Sequence, residues 1–487
     1  MTDIEPFSVA IFVISAGVMV AVLSNRLSGW IRIPAPALFL IVSAVAAAIF
    51  PVLGTVPHEV DERIVTVALI FILFDGGIHI GWKRFRTAAG AVTWLGVAGT
   101  VVTAAALATS AHFLFGFDWT TALLIGAALS PTDPAVVFSV LGKREITGRT
   151  GTILEGESGA NDPVGIALMV SLLAATGTGF SAVAAGVGEF VLQMAIGIVV
   201  GVLGGRGLAI LMRRVSLPNE ALYSVRTIAC AALIYAAATI LHGSGFLAVL
   251  LAGILIGDVH APYKREIERF SAGIAGLSEI VVFSVLGLSI SLSEVFRPDV
   301  LSAGIGLAAL LIFVIRPVFV GLVMAPIRLR WGDRAFVLWA GLKGAVPILL
   351  GMFILSAAVA GAVRVYAIIF IVVLVSVVLQ GGLVPLFARL FRVPMRAIEP
   401  EPWASGLRFN EEPEGLHRRV IAAGSPADGA TVHGLALGES GWVSMINRDG
   451  RLVQVRGNTR LQAGDIVLVL GESDADLDRL FALPPTE

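Results

Sequence analysis

Apolar stretches long enough to cross a bilayer recur along most of the chain, and they constrain its fold more than any other feature. Hydrophobic residues make up 57% of the chain, charged residues 14%, and the mean hydropathy is +0.90, which is more apolar surface than a soluble domain can bury. Because a transmembrane helix needs roughly 20 apolar residues, we predict an all-α polytopic membrane protein with about thirteen transmembrane helices. The predicted segments are 6–24, 34–54, 62–80, 88–111, 119–141, 151–176, 187–212, 220–241, 244–258, 271–292, 299–327, 334–358 and 363–390.

Positively charged residues alternate between the loops that connect these segments. One set of loops, together with the stretch after the last segment, carries 19 Lys and Arg residues. The other set carries three, which are Arg63, Arg297 and Arg364. Because positive residues concentrate on the cytoplasmic side of membrane proteins, we predict a cell-membrane protein with its N-terminus outside and its C-terminus in the cytoplasm.

The composition changes after the last apolar segment, and this change predicts the domain organisation. We expect a transmembrane domain at 1–392, a linker at 393–416 that is rich in Pro and Glu, and a cytoplasmic domain at 417–487. The last region contains short β-strand patterns, the hairpin signal NRDGRL and a closing helical pattern, DADLDRLFAL. These features predict a small α+β domain.

Two of the segments contain residues that interrupt a helix near the middle of the membrane. The fifth holds LSPTDPAVV, in which prolines flank Thr132 and Asp133, and the twelfth holds GLKGAVPILL around Lys343. Proline removes a backbone donor and disfavours helical geometry in the residue before it, so we predict that helices 5 and 12 are discontinuous. A simple proline kink is the alternative for the fifth. Asp133 and Lys343 have the charges to neutralise opposite ends of helix dipoles.

The spacing of the two interruptions has a topological meaning. A step of seven segments is odd, so the fifth and the twelfth segments enter the membrane from opposite sides. Paired interruptions in inverted repeats are typical of secondary transporters, whose binding site lies between the broken helices. The sequence therefore predicts inverted repeats and a transport site at their interface.

The stretch ESGANDPVGIAL in the sixth segment places more ionisable residues in the membrane. On a helix, Ser158 and Asp162 share a face with Asn161 beside them, whereas Glu157 lies about 140° away around the axis. The two acids therefore cannot both face one cavity. We predict that Asp162 is the carboxylate that faces the substrate and that Glu157 forms a buried ion pair with Arg316.

A single free carboxylate in a membrane cavity can hold either a proton or a cation. Burial disfavours the charged acid and a bound cation favours it, so the two compete for the site. Because Asn161 stands where a second acid would add another charge, we predict one-for-one, electroneutral exchange. The Ser158 hydroxyl and the Thr132 carbonyl are oxygen ligands suited to a hard monovalent cation. We expect a transporter and not an enzyme, with neither catalytic residues nor a cofactor.

Five motifs in order resemble those of cation:proton antiporters of the sodium/proton exchanger branch. They are FILFDGGIHI, ALSPTDPAVV, GESGANDPVG, FVIRPV and GLKGAVPI, and they span nearly all of 1–392. The resemblance implies a thirteen-helix fold with a mobile core, an elevator-like motion and a homodimer. It also implies that Asp162 carries the ion and the proton, that Ser158 and Thr132 contribute ligands, and that Asp75 is an acid near the site.

The departures from the family pattern bear on the ion that is transported. Lys343 stands where many members have Arg, and SGANDP replaces the commoner SLFNDG. The form found here resembles bacterial members whose substrate is often K⁺, although Na⁺ remains the alternative. Residues 417–483 resemble the regulatory module of potassium uptake and efflux proteins, which implies a nucleotide-like regulator.

Three other functions fit the sequence less well. A gated channel would need a repeated filter of backbone carbonyls, which is not visible between the segments. An organic-anion transporter would need cations facing its cavity, whereas the unpaired charge predicted here is acidic. A sensor that acts only through the tail would leave the membrane acids unexplained. A net charge of -1 gives no electrostatic support for binding nucleic acid.

Overall fold

The computed structural model describes most of the chain. The described residues are 19, 34–50, 53, 56–141, 144–146, 148–174, 180–397, 416–435, 437, 442–449, 451–470 and 480–481. Nearly all of the first predicted segment, most of the predicted linker and most of the closing helix of the tail lie outside these residues. The chain divides into two compact units, 1–397 and 398–487.

The first unit is helical and contains one short β-ribbon. In the part of the chain that the structure describes, π-helical turns at Leu95–Gly99, Leu311–Val320 and Ser376–Gly381 each join one helix directly to the next. The helices are α1 Ala35–Ile49, α2 His58–Trp94, α3 Thr100–Phe115, α4 Trp119–Leu129, α5 Ala135–Leu141, α6 Arg149–Ala174, α7 Phe180–Arg214, α8 Glu220–Ile240, α9 Gly245–Gly257, α10 Lys264–Leu288, α11 Leu292–Val295, α12 Pro298–Leu310, α13 Gly321–Val323, α14 Trp331–Trp339, α15 Ala345–Ser356, α16 Ala362–Val375 and α17 Gly382–Leu390.

Within the described residues, six helices are long and apolar enough to cross a membrane, and four shorter helices are also apolar. Every predicted segment from the second to the thirteenth coincides with a helix or with a pair of consecutive helices. The short ninth segment is the helix α9. The prediction of a polytopic helical membrane protein is therefore confirmed.

The third and fourth predicted segments differ from expectation because no loop separates them. They form one helical run, His58–Phe115, which consists of α2, the π-helical turn Leu95–Gly99 and α3. The run bends at Gly81 within α2, where φ is 65°. Glycine adopts this left-handed conformation without the steric penalty of a side chain. The Lys83 backbone N–H donates to the Asp258 carboxylate at 2.6 Å, which satisfies a donor next to the bend.

The two predicted interruptions are present as breaks between helices. The helix α4 ends at Leu129 and α5 begins at Ala135, while α14 ends at Trp339 and α15 begins at Ala345. The two breaks lie against each other, because the Asp133 N–H donates to the Leu342 carbonyl at 2.8 Å. Each break thus supplies the other with a backbone partner, as buried irregular backbone in a membrane requires.

A short β-ribbon joins two distant parts of the membrane unit. The strand β1, Arg144–Ile146, lies between α5 and α6, and it pairs in an antiparallel manner with β2, Met395–Ala397. The strand β2 directly precedes the boundary with the second unit. Its residues fall in the predicted linker, for which no strand was expected.

The second unit contains a four-stranded antiparallel sheet with the order β3-β6-β4-β5. Its strands are β3 Leu416–Val420, β4 Trp442–Arg448, β5 Arg451–Val453 and β6 Ile466–Leu470. The predicted NRDGRL hairpin joins β4 to β5, and Asp449 has a positive φ of 50° in the turn. Alternate residues of β6 are buried in the core of the unit, as expected for a sheet with one covered face.

Candidate ion-binding site

A cavity of about 470 Å³ lies beside the two helix breaks. Residues from α2, α6, α9, α10 and α15 line it, together with residues at the start of α5. Five of the lining residues are acids, and these are Asp75, Asp133, Glu155, Asp162 and Glu279. A cavity of this volume that is lined by several carboxylates inside a membrane unit is suited to binding a cation.

The predicted carrier Asp162 lies in the wall of this cavity together with Ser158. Both residues are on α6 and are 6% exposed, and both line the cavity, as their spacing of four residues predicts. Asp162 Oδ1 is buried and has no hydrogen-bond partner in the described part of the chain. An unsatisfied buried carboxylate is costly, so this oxygen is poised to accept a proton or to ligate a cation.

Asn161 and Thr132 contact each other behind that wall. The Thr132 N–H donates to Asn161 Oδ1 at 3.2 Å, and Asn161 Nδ2 donates to the Thr132 hydroxyl at 2.7 Å. Both side chains are buried, and among the described residues neither lines the cavity. Asn161 therefore joins α6 to the break between α4 and α5, which fixes the position of Thr132 relative to Asp162.

Lys343 and Asp133 each extend their side chain from one helix break to the other. Lys343 is 1% exposed, and its Nζ donates to the carbonyls of Ser130 at 3.0 Å and Pro131 at 2.9 Å, just after the end of α4. The Asp133 carboxylate occupies the space in which a Cβ of Gly344 would stand, at the first residue before α15. A cation thus lies at a helix C-terminus and an anion at a helix N-terminus, as the dipoles favour.

Glu157 and Arg316 form an ion pair away from the cavity. Arg316 Nη2 donates to Glu157 Oε1 at 2.9 Å, and both side chains are 4% exposed. Arg316 also donates to the carbonyls of Leu338 and Val337, at the end of α14. Its guanidinium fills the space in which a Cβ of Gly341 would stand. The structure therefore brings together the two residues that were predicted to form an ion pair.

The acid Asp75 lies on α2 and lines the cavity near His79. His79 Nδ1 is 3.0 Å from the Asp75 carbonyl oxygen and 3.2 Å from Asp75 Oδ2. Glu155, one turn before Ser158 on α6, also lines the cavity and lies 3.7 Å from Arg84. The cavity thus has a second group of ionisable residues apart from Asp162.

Several of these residues were not in the predicted site. Glu155 and His79 stand near the ends of predicted segments, where charged residues are common, and the sequence around Glu279 does not distinguish a structural acid from an ion ligand. Gly341 and Gly344 appeared only as helix breakers, whereas each leaves space for a charged side chain. The GLKG spacing, with one glycine on either side of the pair Leu-Lys, was the available signal.

The arrangement is suited to a monovalent cation or a proton. The residues that the structure describes hold no group of three or more His, Cys, Asp and Glu side chains placed to bind one metal ion. The cavity offers carboxylates and the Ser158 hydroxyl, which are oxygen ligands for a hard cation.

Comparisons with known proteins agree with these features. The chain matches the family described as "Sodium/hydrogen exchanger, transmembrane" over residues 15–390 and the TrkA-C domain over residues 416–483. The K(+)/H(+) antiporter NhaP of Alkalimonas amylolytica is 32% identical over 477 residues, 96% of this chain and 82% of the relative. The K(+)/H(+) antiporter NhaP2 of Shewanella baltica is 33% identical over 481 residues, with the same coverage.

Two further similarities concern sodium transporters. The Na(+)/H(+) antiporter NhaP of Pseudomonas aeruginosa is 28% identical over 385 residues, which cover 72% of this chain and 88% of the relative. The solved structure of the sodium proton antiporter MjNhaP1 from Methanocaldococcus jannaschii at pH 8 aligns with a TM-score of 0.66 at 21% identity. It covers 77% of this chain and 99% of that chain, and it shows that the two share a fold.

Proposed function

The chain belongs to the sodium/hydrogen exchanger family, and on this premise we propose that it exchanges one monovalent cation for one proton across the cell membrane. The observation that carries the proposal is the buried Asp162 oxygen without a hydrogen-bond partner in the described residues, in the wall of a cavity lined by acids. Asp162 alternately holds a proton or the cation, and Ser158 supplies a further oxygen. Asn161 keeps Thr132, whose carbonyl is the third proposed ligand, beside them.

K⁺ is the proposed cation. The K(+)/H(+) antiporters of Alkalimonas amylolytica and Shewanella baltica are similar over 96% of the chain, including the tail. The relative named for Na⁺ covers 72% of it. Na⁺ exchange is the second candidate, because that relative also matches most of the chain. The physiological role that follows from either exchange is the control of cytoplasmic pH and cation content.

The proposal also includes the number, the symmetry and the orientation of the transmembrane helices. We propose thirteen helices in inverted repeats, with the N-terminus outside and the C-terminus in the cytoplasm. The two breaks support the repeats, because Lys343 binds carbonyls at the end of α4 and Arg316 binds carbonyls at the end of α14. A homodimer and an elevator-like movement of the core complete the proposal, and they follow from the family resemblance.

The experiment that tests the function is cation-driven dissipation of a pH gradient in proteoliposomes. K⁺ and Na⁺ are tested separately, with and without valinomycin to clamp the potential. We expect exchange by the wild type that does not depend on the clamp, and no exchange by Asp162→Asn. Glu189→Gln is the matched control, because Glu189 lies on α7 outside the cavity and keeps its partner Gln193. Exchange by Asp162→Asn at the wild-type rate would contradict the proposal.

We also propose that the C-terminal unit regulates exchange and that a nucleotide-like molecule binds to it. The match to the TrkA-C domain supports a regulatory role. The β-ribbon offers a route, because β1 connects α5 to α6 while β2 leads to the C-terminal unit. A chain ending after Ala397 keeps β2 and is expected to exchange without regulation. A chain ending after Val393 loses β2, and we expect it to have a lower maximal rate.

A further inference from the structure

Glu279 is one of the acids in the cavity to which the proposed exchange assigns no role. It lies in the middle of α10, a helix long and apolar enough to cross the membrane. Its side chain lines the same cavity as Asp162 and Asp133. In the described part of the chain, nothing forms a hydrogen bond or an ion pair with Glu279.

Glu279 shares this lack of a described partner with Asp162, and it differs in this respect from three other acids on the membrane helices. Glu157 pairs with Arg316, Asp61 accepts a hydrogen bond from Ser289, and Glu189 accepts one from Gln193. An ionisable residue in a membrane segment costs roughly 3 kcal/mol and is usually paired or facing a water-filled cavity. Glu279 faces the cavity, so its charge acts on an ion that enters the cavity.

The helix α10 leads into the cavity along a stripe of small residues. Ala272, Gly276, Glu279 and Phe283 follow one another at intervals of three and four residues, so they share one face. Ala275 lies one turn before Glu279 on the same side, and all five residues line the cavity. The small side chains leave room for a hydrated ion beside the helix. Phe283 is fully buried and closes the stripe. A cation that moves along this face meets Glu279 immediately before the closed end.

We propose that Glu279 recognises the transported cation and holds it, partly hydrated, beside Asp162. The proposal rests on the proposed exchange function and adds a recognition residue from a different helix. Asp162 on α6 takes either ion, whereas Glu279 raises the affinity of the cavity for the cation. Two acids on separate walls attract a monovalent cation more strongly than one does, since their potentials add.

The test is the half-saturating K⁺ concentration of exchange in proteoliposomes. A cavity of this volume is roughly 10 Å across, and removing one unit charge at that distance, at an effective dielectric constant of about 20, corresponds to about a tenfold loss of affinity. We expect E279Q to raise the half-saturating K⁺ about tenfold and to change the maximal rate less than about twofold. E279D, which keeps the charge, is expected to restore most of the affinity. The matched control E189Q keeps the wild-type value.

The outcomes separate this inference from the proposed function. A wild type that does not exchange cations for protons overturns the function itself. A wild type that exchanges, with an E279Q variant of unchanged half-saturation, overturns only the role of Glu279. A purely structural role would lower the maximal rate and leave the half-saturating concentration unchanged, which also contradicts the proposal.

A second variant tests the same role with Glu279 in place. Ala272 lies two turns before Glu279 on the stripe and is exposed to the cavity, so a longer side chain fits there. A272K introduces a positive charge that can pair with Glu279, and we expect it to raise the half-saturating K⁺ about tenfold. If E279Q is not recovered in folded form, A272K serves as the test of the proposal. A half-saturating K⁺ concentration in A272K equal to that of the wild type overturns the inference.

Discussion

Glu157→Gln tests whether the second acid of α6 is structural. The structure pairs Glu157 with Arg316 at 2.9 Å, with both side chains 4% exposed, and it leaves Arg316 two further bonds, to the carbonyls of Leu338 and Val337. The variant leaves the buried guanidinium without a compensating charge. Breaking a buried ion pair costs about 3–5 kcal/mol, and because the Gln side chain can still accept a hydrogen bond, we expect about 3 kcal/mol.

Thermal denaturation of the purified protein in mild detergent measures this loss. The unfolding entropy scales with chain length, and for a unit of this size about 3 kcal/mol lowers the midpoint by about 4 °C. Arg316→Gln should be more destabilising, since it also leaves two carbonyls unpaired. The double variant should be more stable than the sum of the single losses predicts, by about 2 kcal/mol, because the two side chains interact directly. Glu189→Gln serves as the control and should stay within about 1 °C of the wild type.

Transport by the same variant separates the two acids. Because Asp162 is the proposed carrier, folded Glu157→Gln should exchange with the half-saturating K⁺ of the wild type. The reasoning is refuted if Glu157→Gln keeps full stability but loses exchange. In that case Glu157, and not Asp162, would carry the ion, and the assignment of the two acids to opposite sides of α6 would be wrong.

Three further predictions follow from the contacts of single residues. Gly344→Ala should lower exchange at least about tenfold in the proteoliposome assay, because its Cβ would displace the carboxylate at the first helix break, whereas Gly90→Ala faces open space and should be active. Lys343→Met removes two charge-assisted bonds to buried carbonyls and should cost about 3 kcal/mol in thermal denaturation, with Lys343→Arg less affected. The hydrogen bond from Arg448 lowers the pKa of Asp465 from its ordinary value of 3.8, so the contribution of this pair to the tail is complete above that pH and is lost as the pH falls through the lowered value. Amide exchange of the tail in the full chain, corrected for intrinsic pH dependence, should therefore rise below about pH 4, and Asp465→Asn should show faster exchange already at neutral pH.

Much of the fold was predictable because hydrophobic length and proline position act locally. The apolar stretches coincide with helices from the second segment onward, and the motif around Asp133 breaks its helix where prolines remove donors. The geometry of a single helix was also sufficient to separate Glu157 from Asp162, since residues five apart cannot share a face. These inferences needed no knowledge of the neighbouring helices.

The missed features depend on contacts between distant segments. The sequence does not reveal that Gly341 and Gly344 leave space for Arg316 and Asp133, because the partners are remote in the chain. Whether Glu279 has a structural or a functional role also depends on the packing of distant segments. An acid in a membrane helix is structural if a partner faces it and functional if a cavity does, and only the fold distinguishes the two.

The charges around the two helix breaks bear on the proposed one-for-one exchange. Lys343 and Arg316 bring two positive charges, and Asp133, Glu157 and Asp162 bring three negative charges when ionised. One negative charge remains, which one proton or one monovalent cation neutralises. In the elevator-like movement that we propose, these five residues move together with the two breaks.

Glu279 lies on α10 and is outside that group. A residue that stays on the wall can raise the affinity for the cation, but it adds nothing to the charge that moves with the ion. Glu279→Gln should therefore weaken cation binding and still exchange without sensitivity to the valinomycin clamp. A variant whose exchange becomes clamp-sensitive would place Glu279 among the groups that move, and the charge balance around the breaks would then no longer explain electroneutral exchange.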